Sequence, residues 1–441
     1  MALKNGSILT WTAASKWSVL LLLAGCTDKT NDTGQTASFV FDDTTIERLL
    51  RHRFDAPTPP SPTNVVADDE RAIRLGHYLF FDTGLSGDGE QSCATCHKPE
   101  HGFADSTPLS TAIEITRRNT PTIVNSAHNR WFYWDGRCDT LWCQATEPIE
   151  AAGEHGSSRL EVAHHIVGEP DLLSAYSTLF GAPPNIDDGV RFPASGRPNP
   201  DDTSDPDHIA WATMTNEDQE SINRLFTNVA KAIGAFERTL IQHNSPFDRM
   251  LLAFDEGDRT GGDALSVSAK RGATLFVGDG MCWACHAGPT FTNKEFHNVA
   301  LPYVEDGDNE SEGRYSGIDR LLPNPFNGLG PYSDDPAVAD IKLSHLVQSP
   351  EQIGAFKTPG LRNLLDTAPY MHGGHFETLT DVVQHYNEMD DPPLVGHREE
   401  LLLPLMWTEE QVADVVAFLE SLQGAPMNPE WMEQPATPLR D

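Results

Sequence analysis

Apolar residues recur at helical spacing in five stretches of this chain. Asp68-Asp69-Glu70, followed by Ala72, Ile73, Leu75, Leu79 and Phe80, reads as an acidic helix start leading into one apolar face. The longest stretch runs from Glu217 to Gln242, with Ile222, Leu225, Phe226, Val229, Ile233, Phe236 and Leu240 in phase. Shorter ones cover Ala264 to Phe276, Leu379 to Tyr386 and Thr408 to Leu422. Sustained strand alternation is scarce, so the pattern predicts an all-α fold with long irregular loops. Asn244-Ser245-Pro246 and the glycines between 257 and 262 break the helical pattern. They divide the chain into an N-terminal domain over 41–250, a C-terminal domain over 262–425 and a tail over 426–441.

Charge narrows the class of partner. The 441 residues include 31 basic and 65 acidic side chains, a formal net charge of -34. Phosphate affinity comes from Lys and Arg, so nucleic acid and anionic membrane surfaces are excluded as partners, and a basic protein or a salty habitat is favoured. The acid is concentrated in stretches rich in Pro or Gly, at 185–207, 255–263 and 305–312, which read as solvated loops. Asp306-Gly307-Asp308-Asn309-Glu310 looks superficially like a calcium loop but lacks the closing Glu at the twelfth position.

The cysteines carry the chemistry. Cys93-Ala94-Thr95-Cys96-His97 and Cys282-Trp283-Ala284-Cys285-His286 are two copies of Cys-x-x-Cys-His. Two thiols one helical turn apart can add to the two vinyl groups of one haem, and the adjacent His reaches its iron. The alternative, two zinc or redox Cys-x-x-Cys sites with an incidental His, calls for a strand–helix unit that the pattern lacks. Each motif follows one helix and precedes another apolar helix, so each half can wrap a haem, giving two cytochrome c-type domains. About 415 residues after removal of an export signal leave room for two sheltered pockets. That signal is read over 1–26: Val19 to Leu23, Ala24, Gly25 and Cys26, preceded by Lys4 and Lys16, resemble a bacterial lipoprotein lipobox. The run is too short for a spanning helix. Cleavage before Cys26, a flexible tether over 27–40 and a lipid anchor in the periplasm follow; an uncleaved anchor or a plain secretory peptide would also place the protein outside the cytoplasm. Thr27 after the lipidated Cys resembles the outer-membrane pattern. Cys138 and Cys143 form either a disulfide or two buried free thiols. If Asp139 to Thr146 is helical, positions five apart point to different sides, and a bond needs an irregular start to the segment.

Further anchors are Leu75-Gly76, Leu79-Phe80 and Leu85-Ser86 before the first motif, then Arg118-Asn119-Thr120-Pro121-Thr122, Phe132-Tyr133-Trp134-Asp135-Gly136-Arg137 and Ser268-Ala269-Lys270-Arg271-Gly272. Phe356-Lys357-Thr358-Pro359-Gly360-Leu361-Arg362-Asn363 follows, leading into Ala368-Pro369-Tyr370-Met371-His372-Gly373-Gly374. With these, the chain resembles the bacterial diheme cytochrome c peroxidases and their MauG-like relatives from about Asp68 to Gly424. The resemblance implies a peroxide-reactive haem held by Cys93, Cys96 and His97, and an electron-relay haem held by Cys282, Cys285 and His286. It makes Trp134 the bridge between them and Glu154, twenty residues on, the distal carboxylate that moves a proton during O–O cleavage. Gln144 and Pro148 match further distal positions. Asn119, Thr367 and Pro369 match the ligands of an interdomain calcium, a hard cation suited to oxygen donors.

Two departures separate this chain from ordinary members. Peroxidases of this kind often close the first haem with a His between the first motif and the Asn-Thr-Pro-Thr segment; residues 104–121 contain none, so the expectation is a haem open to peroxide when both irons are ferric. His101 lies too close to the motif to be an attractive substitute, and His128 falls after the segment. Fourteen residues beyond His372, where the peroxidases carry Met, stands Tyr386, as in the MauG-like enzymes. A thioether stabilises Fe(II), whereas a phenolate stabilises the oxidised states. Met371, Met389 and His385 are the competing ligands, and core packing is the competing role for Tyr386. The implied activity is reduction of hydrogen peroxide with electrons from a small cytochrome or cupredoxin. The alternatives are a MauG-like enzyme that oxidises aromatic residues of a partner protein through a high-valent diheme state, and a non-enzymatic electron carrier. Oligomeric state is not legible in the sequence.

Overall fold

The structure, a computed structural model, describes residues 39–55 and 57–440, so the lipobox, Cys26 and most of the expected tether lie outside the described residues. The architecture is helical. In chain order the helices are α1 (Asp43–Leu50), α2 (Glu70–Phe80), α3 (Cys93–Cys96), α4 (Leu141–Glu150), α5 (Arg159–Gly168), α6 (Pro170–Phe180) and α7 (Pro206–Ala212). They continue with α8 (Asn216–Glu237), α9 (Pro246–Asp255), α10 (Val267–Val277), α11 (Arg314–Leu321), α12 (Pro336–Leu343), α13 (Leu379–Glu388) and α14 (Glu409–Glu420). A two-stranded antiparallel sheet pairs β1 (Phe296–His297) with β2 (Phe356–Lys357). Among the described residues no helix is long and apolar enough to cross a membrane.

Two helix crossings organise the molecule, each made possible by a glycine. A Cβ on Gly76 of α2 would stand 1.8 Å from the Ala232 carbonyl oxygen of α8, and one on Gly272 of α10 would stand 1.9 Å from that of Asp414 of α14. Only a residue without a side chain lets these backbones approach so closely. Around the first crossing, Leu75, Leu79, Trp142, Ile166, Ile222, Phe226 and Ile233 form one core. Around the second, Phe276, Phe291, Val383, Val415 and Phe418 form another. Polar caps set the starts: Asp69, Ser266, Thr378 and Thr408 each accept a backbone N–H in the first turn of α2, α10, α13 and α14.

The structure departs from the sequence expectation in three places. The helix expected over 217–242 ends at Glu237, because Asn125 takes over the following backbone: its N–H donates to the Leu240 carbonyl (2.8 Å), and its side chain bonds both the N–H (2.9 Å) and the carbonyl (3.0 Å) of Gln242. The break expected over 245–262 holds α9, started by a reciprocal Ser245–Asp248 capping box, and its Phe247, Met250 and Leu251 enter the second core. The linear division at 41–250, 262–425 and 426–441 differs from the packing. Phe41 and Leu49 join the second core, while Met427, Trp431 and Met432 of the tail pack with Phe80, Phe103 and Phe236 beside the first. Apolar patterning marks which residues are buried but not against which core.

Candidate functional site

Both Cys-x-x-Cys-His motifs close one tight turn, and each turn forms part of the wall of a cavity. The His97 N–H donates to the Cys93 carbonyl (2.9 Å) and the His286 N–H to that of Cys282 (2.8 Å). Cys93, Cys96 and His97 line a cavity of about 320 Å³; Cys282, Cys285 and His286 line one of about 250 Å³. None of the four thiols is in a disulfide. The imidazoles are oriented identically: His97 Nδ1 lies 3.1 Å from the Phe103 carbonyl and His286 Nδ1 3.0 Å from that of Phe291. A carbonyl can only accept, so Nδ1 carries the proton and Nε2 keeps its lone pair. Phe103 and Phe291 both have φ of 55°, a left-handed conformation that a bulky residue adopts only where its surroundings impose it. Thiols paired with an imidazole whose Nε2 is free to ligate, on the wall of a large cavity, fit a covalently held haem at each place.

The wall of the first cavity that comes from α4 and its flanking loops sets Arg137, Gln144 and Glu154 among apolar side chains. Phe132 and Cys138 form an antiparallel bridge that closes the Tyr133–Arg137 loop, and a Cys138–Cys143 disulfide ties the loop to α4. The pairing is possible because α4 begins only at Leu141, capped by Thr140, so Cys138 lies before the helix. Gly136 has φ of +71° and sits where a Cβ would meet the ring of Phe296 at 2.3 Å. The Tyr133 hydroxyl donates to the Gln144 carbonyl (2.8 Å), and the Arg137 guanidinium lies 3.4 Å from the centre of the Tyr133 ring. Arg137 also pairs with Glu147 (2.6 Å) and Asp135 (3.1 Å), and Arg118 pairs with Asp135 (2.8 Å). Burial works to raise the Asp135 pKa, but the two arginines win and hold it at about 2.

Gln144, Pro148 and Glu154 all line this cavity together with His97. Burial pushes the Glu154 carboxyl above the usual range against the pull of Arg137, and among the described residues its carboxylate has no hydrogen-bond partner. A carboxyl raised in this way holds its proton more firmly than an exposed one and can still release it. Neither His101 nor His128 lines the cavity, and residues 104–121 bring no imidazole to it. His155 does line it; burial above all lowers its pKa, and among the described residues its Nδ1 has no hydrogen-bond partner.

Trp134 belongs to both cavities. It is 9% exposed, its Nε1 donates to the Asn119 carbonyl (2.8 Å), and its own carbonyl accepts from the Lys357 N–H (2.7 Å). The second cavity is apolar around Tyr386, which α13 projects into it beside Val382 and Val383, with Leu401, Leu402 and Leu403 also on the wall. Of the competing ligands, Met371 shares the wall; Met389 and His385 do not, and His385 Nε2 bonds the Val299 carbonyl at 2.9 Å. Asn119, Thr367 and Pro369 also come together on this wall. The Asn119 amide donates to the Thr107 carbonyl (3.1 Å) and keeps its oxygen uncommitted.

Sequence reasoning overlooked two charges, one buried and one half-buried. Glu237, 3% exposed, faces the first cavity with one carboxylate oxygen unpaired, and burial pushes it up to about 8. Lys357 lines both cavities. Glu237 gave no signal, because it sits on the predicted helix like any charged residue, whereas Lys357 was visible inside the Phe356–Asn363 segment.

Two helical cores, each with a Cys-x-x-Cys-His turn and a cavity, with Trp134 on the wall of both cavities, define a diheme c-type oxidoreductase. The model of the family described as di-haem cytochrome c peroxidase matches residues 70–256. The chain is 32% identical over 359 residues to a cytochrome-c peroxidase, IdrP2, of Denitromonas iodatirespirans, covering 81% of this chain and 82% of that protein. It is 30% identical to the methylamine utilization protein MauG of Methylorubrum extorquens, covering 86% and 85%. The fold is shared with the diheme peroxidase BthA of Burkholderia thailandensis, at a TM-score of 0.59 and 21% identity over 87% of this chain and 93% of that one. The chain belongs to the di-haem cytochrome c peroxidase family, and it is a peroxidase-type enzyme with two haem c groups.

Proposed function

We propose that hydrogen peroxide is reduced at the first cavity, with Glu154 as its proton-transfer group, and that electrons reach it from the second cavity across Trp134. The observation that carries this reading is the placement of Trp134 on the wall of both cavities while Glu154, Gln144 and His97 share only the first. A haem c held by His97 supplies the iron at which peroxide binds and its O–O bond is cleaved. Glu154 takes the proton from the inner peroxide oxygen and returns it to the outer one, so the leaving group departs as water and not as hydroxide. Gln144 narrows the same wall and offers an amide to orient peroxide. Two electrons and two protons complete the conversion of one peroxide into two waters.

Because residues 104–121 and the flanking His101 and His128 bring no imidazole to this cavity, where among the described residues His155 is the one imidazole besides His97, we read it as open to peroxide in the fully ferric protein. The test is to add stoichiometric hydrogen peroxide to that form and record its Soret and near-infrared bands over seconds. A rapid change supports the reading; reaction only after one haem has been reduced refutes it and makes the enzyme a reductively activated peroxidase. Inertness in both states would leave an electron carrier.

A second reading is favoured by one observation. Tyr386 lines the second cavity on α13, with Met371 but neither Met389 nor His385 also on the wall, and a phenolate there favours oxidised iron over acceptance of electrons from a small cytochrome or cupredoxin. In this reading the enzyme draws electrons from aromatic residues of a partner protein. Asn119, Thr367 and Pro369 are proposed as the oxygen ligands of one calcium between the cavities. Lipidation at Cys26 is proposed to hold the enzyme at the outer membrane, facing the periplasm.

A further inference from the structure

Lys357 is a half-buried cation that neither the haem motifs nor the peroxide chemistry explains. It lies in β2, and its backbone is tied to Trp134 by the 2.7 Å hydrogen bond, while its Nζ stands 6.0 Å from the centre of the indole. Its side chain lines both cavities. Burying an ammonium is costly unless an anion or several acceptors compensate it. Among the described residues its Nζ has no ion-pair partner and no hydrogen-bond acceptor, and burial alone drives its pKa down to about 8.

Of the carboxylates in this region, Glu154 and Glu237 stand on the first cavity's wall without pairing with the ammonium, and three others are committed elsewhere. Asp135 pairs with Arg118 and Arg137, Asp308 with Arg118, and Glu147 with Arg137 and Arg320. The second cavity has no Asp or Glu on its wall. The protein thus places a positive charge where two cavities meet and pairs no carboxylate with it, Glu154 and Glu237 on the first cavity's wall included. The anion must come with what fills the cavities, and each haem carries two carboxylates on one edge.

We propose that Lys357 is a positioning residue shared by the two haem sites: its ammonium anchors haem carboxylates at the junction and raises the reduction potential of both haems. This rests on the two-haem reading of the cavities. A fixed positive charge favours the reduced, less positive form of any iron close to it, and the effect is strong where water is excluded. The same charge beside Trp134 opposes a lasting positive charge on the indole.

The test compares Lys357→Met and Lys357→Arg with the parent holoenzyme. Haem content is counted first, by mass and by the absorbance of the pyridine complex; fewer than two haems in the parent would overturn the two-haem reading itself. Both midpoint potentials are then measured by spectroelectrochemistry at a pH well below 8. In Lys357→Met both haems are expected to become harder to reduce by about tenfold in equilibrium constant, about 59 mV for a one-electron couple. Lys357→Arg is expected to stay near the parent. A shift in one haem only, a shift in neither, or an Arg variant that behaves like the Met variant overturns the proposal. Where Lys357→Met fails to retain both haems, Lys357→Gln is measured against the same criterion. Loss of haem in both neutral variants with retention in Lys357→Arg supports a required cation, and loss in Lys357→Arg as well shows a steric role and overturns it.

Discussion

His97 and His286 are held in the same way, each by the carbonyl of a left-handed phenylalanine, yet the walls around them have little in common. The first cavity has Glu154 and Glu237 on its wall, with Arg118, Arg137 and Arg320; the second has no carboxylate and is lined by leucines, valines and Tyr386. Holding a haem is a repeated task with one geometric solution, so both halves converge on a glycine helix crossing, a tight thiol turn and a fixed imidazole. Reactivity is set by the rest of the wall. A polar wall with a carboxyl of raised pKa can move protons and handle peroxide, whereas an apolar wall with a phenol can only tune the iron and pass charge.

The largest expected effect breaks the first cavity alone. Glu154→Gln keeps the shape and removes the proton-transfer group, and peroxide consumption should fall by about 10²- to 10⁴-fold with both haems still attached. Unchanged kinetics, followed by peroxide loss, would remove Glu154 from the mechanism. Glu237 sharpens the contrast through stability. Its carboxyl is pushed from an ordinary 4.5 up to about 8, so the native state binds more protons than the unfolded one between those values. Stability should therefore fall as pH rises through that window, by a few kcal/mol at about 1.4 kcal/mol per pH unit. Glu237→Gln should abolish this slope, and parallel melting-temperature profiles for parent and variant would contradict it.

Smaller effects follow at the loop and at the second cavity. Replacing Cys138 and Cys143 together by Ser opens a short loop and should cost about 2 kcal/mol, read as a melting temperature lowered by a few degrees. The loop presents Trp134, so electron transfer between the haems should slow as well, and an unaltered transfer rate would show that the Phe132–Cys138 bridge suffices. Tyr386→Phe should change only the low-spin haem spectrum and leave the first haem's reaction with peroxide in place. A low-spin spectrum identical to the parent's would refute Tyr386 as a ligand.

The sequence alone determined the helical class, the two haem turns and the starts of the long helices, because these are local. A Cys-x-x-Cys-His turn closes within five residues, and a polar cap followed by apolar residues at 3.6 spacing has one stable conformation. It also named Trp134, Glu154 and Tyr386, through motifs quoted residue by residue. Which residues share a wall was decided only in three dimensions. The end of α8 at Glu237 depends on Asn125, more than a hundred positions earlier; the return of Trp431 to the side of the first core depends on a surface made by Phe80 and Phe236. Lys357 is an ordinary lysine in the sequence. Its place at the meeting of two cavities arises from the packing of β2 against the Trp134 loop, and the cost of a charge is set by the dielectric around it, which no local pattern encodes.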